Sequence, residues 1–305
     1  MGIYDIGIIG GGTAGMTAAI YGQRAGKQTI LFEGTTFGGQ ITSSPNVENY
    51  PGIASVSGSE FSMNLMDQAV KLGTQTIMEQ VTGIREEEDY KVIVTTEKEY
   101  ECKSIILATG VTHRHLGVPG EERLTGAGVS YCATCDGMFY RNKTVMVIGG
   151  GNTAAADAMT LSRICKMVIL VHRRDSLRAT KIYHKQLEET TNIEFYWNTT
   201  VSGFLYDKKL TAAKLHNVKT GADTEISIDG AFISIGRKPS SELFEGILDM
   251  DEAGYIIADE STRTNIPGVF AIGDVRTKAL RQVVTAVADG ATASHYIEEY
   301  LAGKM

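Results

Sequence analysis

Cysteine is scarce in this chain. Only four occur in 305 residues, and just two of them, Cys132 and Cys135, lie close together. So few thiols do not make the disulfide framework of a secreted domain, and a single close pair suits a catalytic dithiol in a reducing cytosol. Long apolar runs are also missing, so no segment reaches the ~20 residues of a membrane-spanning helix. Basic charge is short: 29 Lys and Arg stand against 36 Asp and Glu, a net charge of −7. That balance argues against a nucleic-acid or anionic-membrane partner. The opening residues, Met1-Gly2-Ile3-Tyr4-Asp5, carry no basic segment and lead straight into an apolar strand, so no signal peptide is expected. Ile6 leaves the myristoylation pattern at Gly2 incomplete. The expectation is a cytoplasmic protein.

Glycine, by contrast, is in excess, with 34 residues against the roughly 7% of an average chain. Much of the excess falls in loops such as Gly10-Gly11-Gly12 and Gly149-Gly150-Gly151. A hydrophobic content of 43% over this length is enough for two domains with proper cores.

The first loop, Gly10-Gly11-Gly12-Thr13-Ala14-Gly15, follows a short β run at 4–9 and precedes a helix expected over 16–25. Strand, G-x-G-x-x-G and helix together let backbone approach a pyrophosphate whose charge rests at the helix N-terminus. The next strand, 29–32, ends at Glu33, where a carboxylate can hydrogen-bond both hydroxyls of an adenosine ribose. Gly38, Gly39 and Gln40, and the stretch Asn46 to Gly52 containing Asn49, read on their own as turn-rich loops. An amphipathic helix is expected over 60–72, and hairpin strands over 80–100 around the acidic tip 86–89. The run 105–110 reads as a buried strand ending in small residues at Gly110, where backbone can meet a ligand closely. Within the crossover 111–120, His113 and His115 lack a carboxylate or thiol at ligand spacing and read as surface histidines rather than a metal pair.

Cys132-Ala133-Thr134-Cys135-Asp136 is the stretch that the two loops flank. A CxxC pair can close and reopen a disulfide, hold one edge of a zinc site, or present an activated thiolate. Zinc needs two further ligands, and Cys102 and Cys165 are isolated, so no metal is expected. Asp136 with Gly137 fits a simple turn, or else a carboxylate that exchanges a proton with the neighbouring thiolate.

A second strand, 144–148, leads into Gly149-Gly150-Gly151-Asn152-Thr153-Ala154 and a helix expected over 155–164, an internal repeat of the first nucleotide fold. Gly10, Gly12 and Gly15 map onto Gly149, Gly151 and Ala154, and the same offset carries Glu33 onto His172. Where the first repeat has a ribose-binding acid, the second has His172-Arg173-Arg174, with Arg178 one turn on. Arginines there suit a 2′-phosphate, so the first site is expected to hold an unphosphorylated adenosine and the second NADPH. Antiparallel strands are expected over 190–228, and 231–237, with Gly236, repeats the role of 105–110. A last strand, 269–272, closes on Gly273-Asp274, and Arg281-Gln282-Val283-Val284 opens the final helix, to about Leu301.

These motifs in this order, ending with Gly268-Val269-Phe270-Ala271-Ile272-Gly273-Asp274, resemble those of bacterial low-molecular-weight thioredoxin reductases, over essentially the whole chain. The resemblance implies an α/β fold of two Rossmann-like FAD/NAD(P)-binding domains, the second inserted into the first: 1–115 with 243–305 for FAD, and 116–242 for NADPH and the dithiol. It implies Cys135 as the flavin-facing sulfur, Cys132 as the sulfur that attacks thioredoxin, and Asp136 as proton donor. Gly10, Gly12, Ala14, Gly15, Glu33, Gly39, Gln40, Asn49, Gly110, Gly273, Asp274, Arg281, Gln282 and Val283 are the implied FAD contacts. Gly149, Gly151, Asn152, Thr153, Ala154, His172, Arg173, Arg174, Arg178 and Gly236 are those for NADPH. A homodimer, and a rotation of the inserted domain about hinges near Leu116 and Leu243, are implied too. The chain departs from the pattern at Ala156-Asp157, where members carry two acids, and at Met138-Phe139, where they often carry two phenylalanines.

The nearest rival readings are a reductase of a peroxiredoxin or another thioredoxin-like protein, and a ferredoxin-driven thioredoxin reductase. The first normally has an N-terminal dithiol extension, and the second should lack the arginine set. A ferredoxin–NADP reductase should lack the CxxC. A nucleotide-sensing module with a zinc-bound CxxC is the alternative outside enzymes.

Overall fold

The structure, a computed structural model, describes residues 2–44 and 46–303; Met1, Pro45 and the last two residues lie outside the described set. The chain divides into two compact units, Met1–Thr112 with Lys238–Met305, and His113–Arg237. The crossings between them therefore lie three to five residues earlier than the segments around Leu116 and Leu243. They run through the short strands Val111–His113 and Arg237–Pro239, which pair as a two-stranded ladder. Backbone pairing, which no local sequence pattern announces, sets this boundary.

The first unit is built on a sheet in the order Gln75–Met78, Thr29–Glu33, Tyr4–Ile9, Glu99–Leu107, Lys91–Thr95, Val81–Glu86. Tyr4–Ile9 pairs in parallel with Thr29–Glu33 and with Glu99–Leu107. Ile6, Ile8 and Ile9 are all buried, as expected of a parallel strand covered on both faces. Glu99–Leu107 is long enough to serve two neighbours on one edge. Its beginning pairs antiparallel with Lys91–Thr95 and its end in parallel with Val269–Ala271. Helices Thr13–Arg24, Gly58–Lys71 and Val283–Leu301 cover the sheet. Gly290 permits the close approach of the last helix to the first, because a Cβ there would stand 2.6 Å from the Ala14 carbonyl oxygen. Gln282 caps that last helix in a capping box with Thr285, so it starts at Val283 rather than Arg281.

The second unit repeats the design. Its sheet runs Ile193–Trp197, Met167–His172, Thr144–Ile148, Gly230–Ile233, Val129–Ser130, with all pairs parallel. Asn152–Ser162 and Lys181–Glu189 are its longer helices among the described residues. Thr199–Tyr206, Leu210–Asn217 and Asp223–Ser227 form a separate antiparallel sheet. The antiparallel expectation over 190–228 thus holds from Thr199 onward but fails for Ile193–Trp197. Alternating Ile193, Phe195 and Trp197 announce a strand but not its direction. The crossover helix Lys181–Glu189, which the sequence reading missed, makes that strand parallel.

Candidate functional site

The dithiol sits where Val129–Ser130 leaves the second unit's sheet and turns into the four-residue helix Ala133–Asp136. Cys132 caps that helix and is joined to Cys135 in a disulfide. The backbone N–H groups of Cys135 and Asp136 reach the Cys132 carbonyl at 3.2 and 3.1 Å. Cys135 is exposed and Cys132 half-buried. Among the described residues, no group of three or more His, Cys, Asp or Glu could hold a metal ion.

Asp136 is held from one side only. Its Oδ2 accepts a 2.7 Å hydrogen bond from Ser130, whereas Oδ1 is buried and has no partner among the described residues. Burial raises the Asp136 pKa above the usual carboxylate value, against the opposing pull of the Ser130 hydroxyl. The chemistry available is therefore a redox disulfide beside a carboxyl group biased toward holding a proton.

Tyr131 extends the site away from the sulfurs. Its ring stacks on His113 at 4.7 Å, and its hydroxyl donates to Glu121 at 2.8 Å and meets His115 Nδ1 at 2.9 Å. Glu121 is buried, and it accepts backbone N–H bonds from Leu116 and Gly117. Of these two histidines, His115 lies at the surface. His113 is half-buried, and burial first, then the charges of Arg237 and His115, push its pKa down to about 4.

In the first unit, helix Thr13–Arg24 begins at Gly12 without a side-chain cap, which leaves its N-terminal N–H groups for a ligand. Gly10 has φ +109°, and a Cβ on Gly15 would collide with the Gly10 carbonyl. Ala14 lies buried against Gly273, which has φ +69°. Gly39 faces Gly12 across the bridge between Gly12 and Gly38. The Glu33 carboxylate stands at the loop, accepting from Gly11 N–H and Thr35 N–H at 2.9 Å each, with lone pairs left over for a hydroxyl. Asn49 donates to the Gln282 side chain at 3.1 Å, joining two expected flavin contacts from opposite ends of the chain. Gln40 donates to the Val111 carbonyl, beside Gly110. Arg281 donates to the carbonyls of Asp274, Lys278 and Arg276 and lies over the Tyr255 ring at 4.0 Å. It shapes the loop between Asp274 and Val283 rather than pointing away from it. Two groups the sequence reading missed support this loop: Asp289 accepts the Gly273 N–H at 2.8 Å, and Arg276 pairs with Asp289.

In the second unit a cleft of about 590 Å³ opens over Gly149, Gly150, Gly151 and Thr153, with Arg173, Arg178, Ser234 and Gly236 in its walls. Helix Asn152–Ser162 starts at Gly151, again without a side-chain cap, and Ala154 is buried behind the loop. Asn152 is spent on the scaffold, since its side-chain oxygen accepts the Thr180 N–H at 2.8 Å. His172 lies buried beneath Gly150, where any Cβ would enter its ring, and its Nε2 has no partner among the described residues. Burial and the three neighbouring arginines hold its pKa below the usual histidine value. Arg173, Arg174 and Arg178 are exposed, and among the described residues none forms an ion pair. Arg173 and Arg178 line the cleft, whereas Arg174 does not. Arg114 lines it too. Sequence reading passed over it because the two flanking histidines drew attention to metal binding.

Both sites fit the groups expected of them. Uncapped helix starts suit a pyrophosphate, the free Glu33 lone pairs suit a ribose, and unpaired arginines on a roomy cleft suit an added phosphate.

The sequence model of the pyridine nucleotide-disulphide oxidoreductases matches residues 4–290. A thioredoxin reductase of Listeria monocytogenes is 42% identical over 300 residues, covering 98% of this chain and 94% of its own length. One of Treponema pallidum is 43% identical over 299 residues, with 98% and 97% covered. The crystal structure of thioredoxin reductase from Streptococcus pyogenes superposes with a TM-score of 0.95 at 41% identity, covering 99% of each chain.

Proposed function

This chain belongs to the pyridine nucleotide-disulphide oxidoreductase family, in its thioredoxin reductase branch, and from that premise we propose that it reduces the disulfide of thioredoxin with NADPH, through FAD and the Cys132–Cys135 pair. The observation that carries the reading is the redox disulfide next to a partly buried Asp136, in a chain with two uncapped, glycine-lined helix starts. When bound, the pyridine nucleotide supplies a hydride and the flavin relays its two electrons to the disulfide.

Gly10, Gly12, Ala14, Gly15 and Glu33 would hold the adenosine diphosphate half of FAD, with Gly39, Gln40, Asn49, Gly110, Gly273, Asp274, Arg281, Gln282 and Val283 around its other half. Gly149, Gly151, Thr153, Ala154 and Gly236 would cradle NADPH, and Arg173, Arg174 and Arg178 would meet its 2′-phosphate, with His172 and Asn152 supporting the loop. Two electrons break the Cys132–Cys135 bond, and Asp136 supplies a proton to the emerging thiolate. The Cys132 thiolate then attacks the target disulfide, forming a mixed disulfide and releasing one target thiolate. Attack by Cys135 on Cys132 re-forms the internal bond and frees the second target sulfur, so two electrons have moved to the target, whose two thiolates take up one proton passed on from the dithiol and one from solvent. Exposed Met138 lies three residues past Cys135, in reach of a docking protein. A homodimer in the cytoplasm completes the reading. No helix among the described residues is long and apolar enough to cross a membrane.

The test is NADPH oxidation with oxidised thioredoxin, with NADH as control. Turnover with NADPH, lost in Cys135→Ser, supports the proposal. Flavin bleaching by NADPH without thioredoxin turnover moves the partner elsewhere, and no bleaching removes the arginine argument.

A further inference from the structure

We propose that Ser130 is a positioning residue of the dithiol, deciding which oxygen of Asp136 carries the exchangeable proton. The inference rests on the reading of Asp136 as proton donor to the Cys132–Cys135 pair.

Ser130 is only 5% exposed, at the end of the short strand Val129–Ser130 that runs into the redox loop. Its hydroxyl is used in both directions. As acceptor it receives the Cys132 N–H at 3.0 Å, and as donor it reaches Asp136 Oδ2 at 2.7 Å. A hydroxyl has one hydrogen, and the alternative acceptor, the Cys132 carbonyl at 3.5 Å, lies at the limit of a hydrogen bond. The Asp136 bond therefore takes the proton. With Oδ2 already accepting from Ser130, a neutral Asp136 carries its own proton on Oδ1, the buried oxygen without a partner. One side chain thus anchors the first sulfur-bearing residue through its backbone and orients the acid one residue beyond the second.

Few other groups bear on this carboxyl. Tyr140, on the 3-10 turn Gly137–Tyr140 that follows, feels its charge, and so has its own pKa raised by burial and by Asp136, Asp229 and Cys165. In the disulfide form burial raises the Asp136 pKa, and the Ser130 hydrogen bond opposes it by favouring the ionised form. Removing the hydroxyl therefore moves the Asp136 titration further up, the direction opposite to that expected from loosening a buried acid into solvent.

The experiment compares wild type, Ser130→Ala, Ser130→Thr, Asp136→Asn and the double variant as full chains reduced with dithiothreitol. The rate of Cys132 alkylation by iodoacetamide is followed against pH, with the labelled residue located by mass spectrometry. Ser130→Ala is expected to move the inflection due to Asp136 up by about one pH unit. Threonine is expected to restore it, and Ser130→Ala to add nothing once Asp136 is Asn. An unshifted profile in Ser130→Ala, a profile moved down, or an equal shift in the Asp136→Asn background overturns the proposal. This readout needs neither cofactor nor target protein. A chain that fails to reduce thioredoxin yet shows the shift loses the functional reading alone, and one that turns over normally without the shift loses this inference alone. Should Ser130→Ala fail to fold, Ser130→Gly removes the same hydroxyl and is judged by the same shift.

Discussion

Arg276 and Asp289 form a two-pronged ion pair inside the first unit, Nε to Oδ2 at 2.9 Å and Nη2 to Oδ1 at 2.8 Å. Their side chains are only 3% and 9% exposed. Lys278 adds a third charge at 2.8 Å, and the same carboxylate receives the Gly273 N–H. Burial alone would raise the Asp289 pKa, but the hydrogen bonds and charges of Arg276 and Lys278 outweigh it and hold the group below the usual value. Asp289→Ala is expected to strand two buried cations and cost about 3–5 kcal/mol, read as a fall in Tm together with loss of bound flavin. Because the folded pKa is depressed, this stabilisation is present above the unfolded carboxylate pKa of about 3.9 and lost as pH falls through the lower folded value. Acid unfolding monitored by fluorescence should begin at higher pH in Asp289→Asn, with a flatter dependence.

Arg173 and Arg178, unpaired and in the wall of the cleft, should carry the preference for a phosphorylated nucleotide. A charge-assisted hydrogen bond is worth about 1.5–3 kcal/mol. Arg173→Ala and Arg178→Ala are each expected to raise KM for NADPH roughly 10- to 100-fold and to leave KM for NADH nearly unchanged. Parallel loss with both nucleotides would instead mean that the arginines only hold the loop.

Asp136→Asn keeps the shape and the Ser130 contact but cannot exchange a proton. Loss of general acid catalysis is expected to lower thioredoxin-dependent turnover by about 10²–10⁴. Since burial raises the Asp136 pKa, the wild-type rate should decline as pH rises through that raised value, and this limb should vanish in the variant. Steady-state rates from pH 5 to 9 check both.

His113 is kept neutral by burial and by Arg237 and His115, with its pKa lowered from 6.5 to about 4. A histidine whose folded pKa is depressed contributes stability above its unfolded value near 6.5, and that contribution fades as pH falls toward 4. His113→Phe retains an aromatic stack on Tyr131 without a titrating group. Its Tm should vary less than that of wild type between pH 6.5 and 4; an identical slope would mean that the histidine is already open to solvent.

Local spacing carried much of the site into view. A glycine loop between strand and helix is a short-range pattern because the pyrophosphate it suits is bound by consecutive backbone groups. The repeat then supplied a ruler that laid His172 on Glu33. What that ruler cannot convey is direction. His172 turned out to lie beneath Gly150 and not in the open with the arginines, and Asn152 bonds to Thr180 across the loop. Arg114 reaches the cleft because its backbone N–H bonds to Gly236, more than a hundred positions away.

The amino-acid order by itself determined two nucleotide folds, a dithiol placed in the second, and an arginine set where the first repeat has an acid. These rest on contacts within one strand, loop and helix, where neighbours in sequence are neighbours in space. Only the tertiary structure decided that Ser130 holds Asp136 by one oxygen, that Asp289 gathers Gly273, Arg276 and Lys278, and that Asn49 meets Gln282. Each of those pairings depends on how strands and helices pack, and buried polar groups find their partners wherever packing brings them.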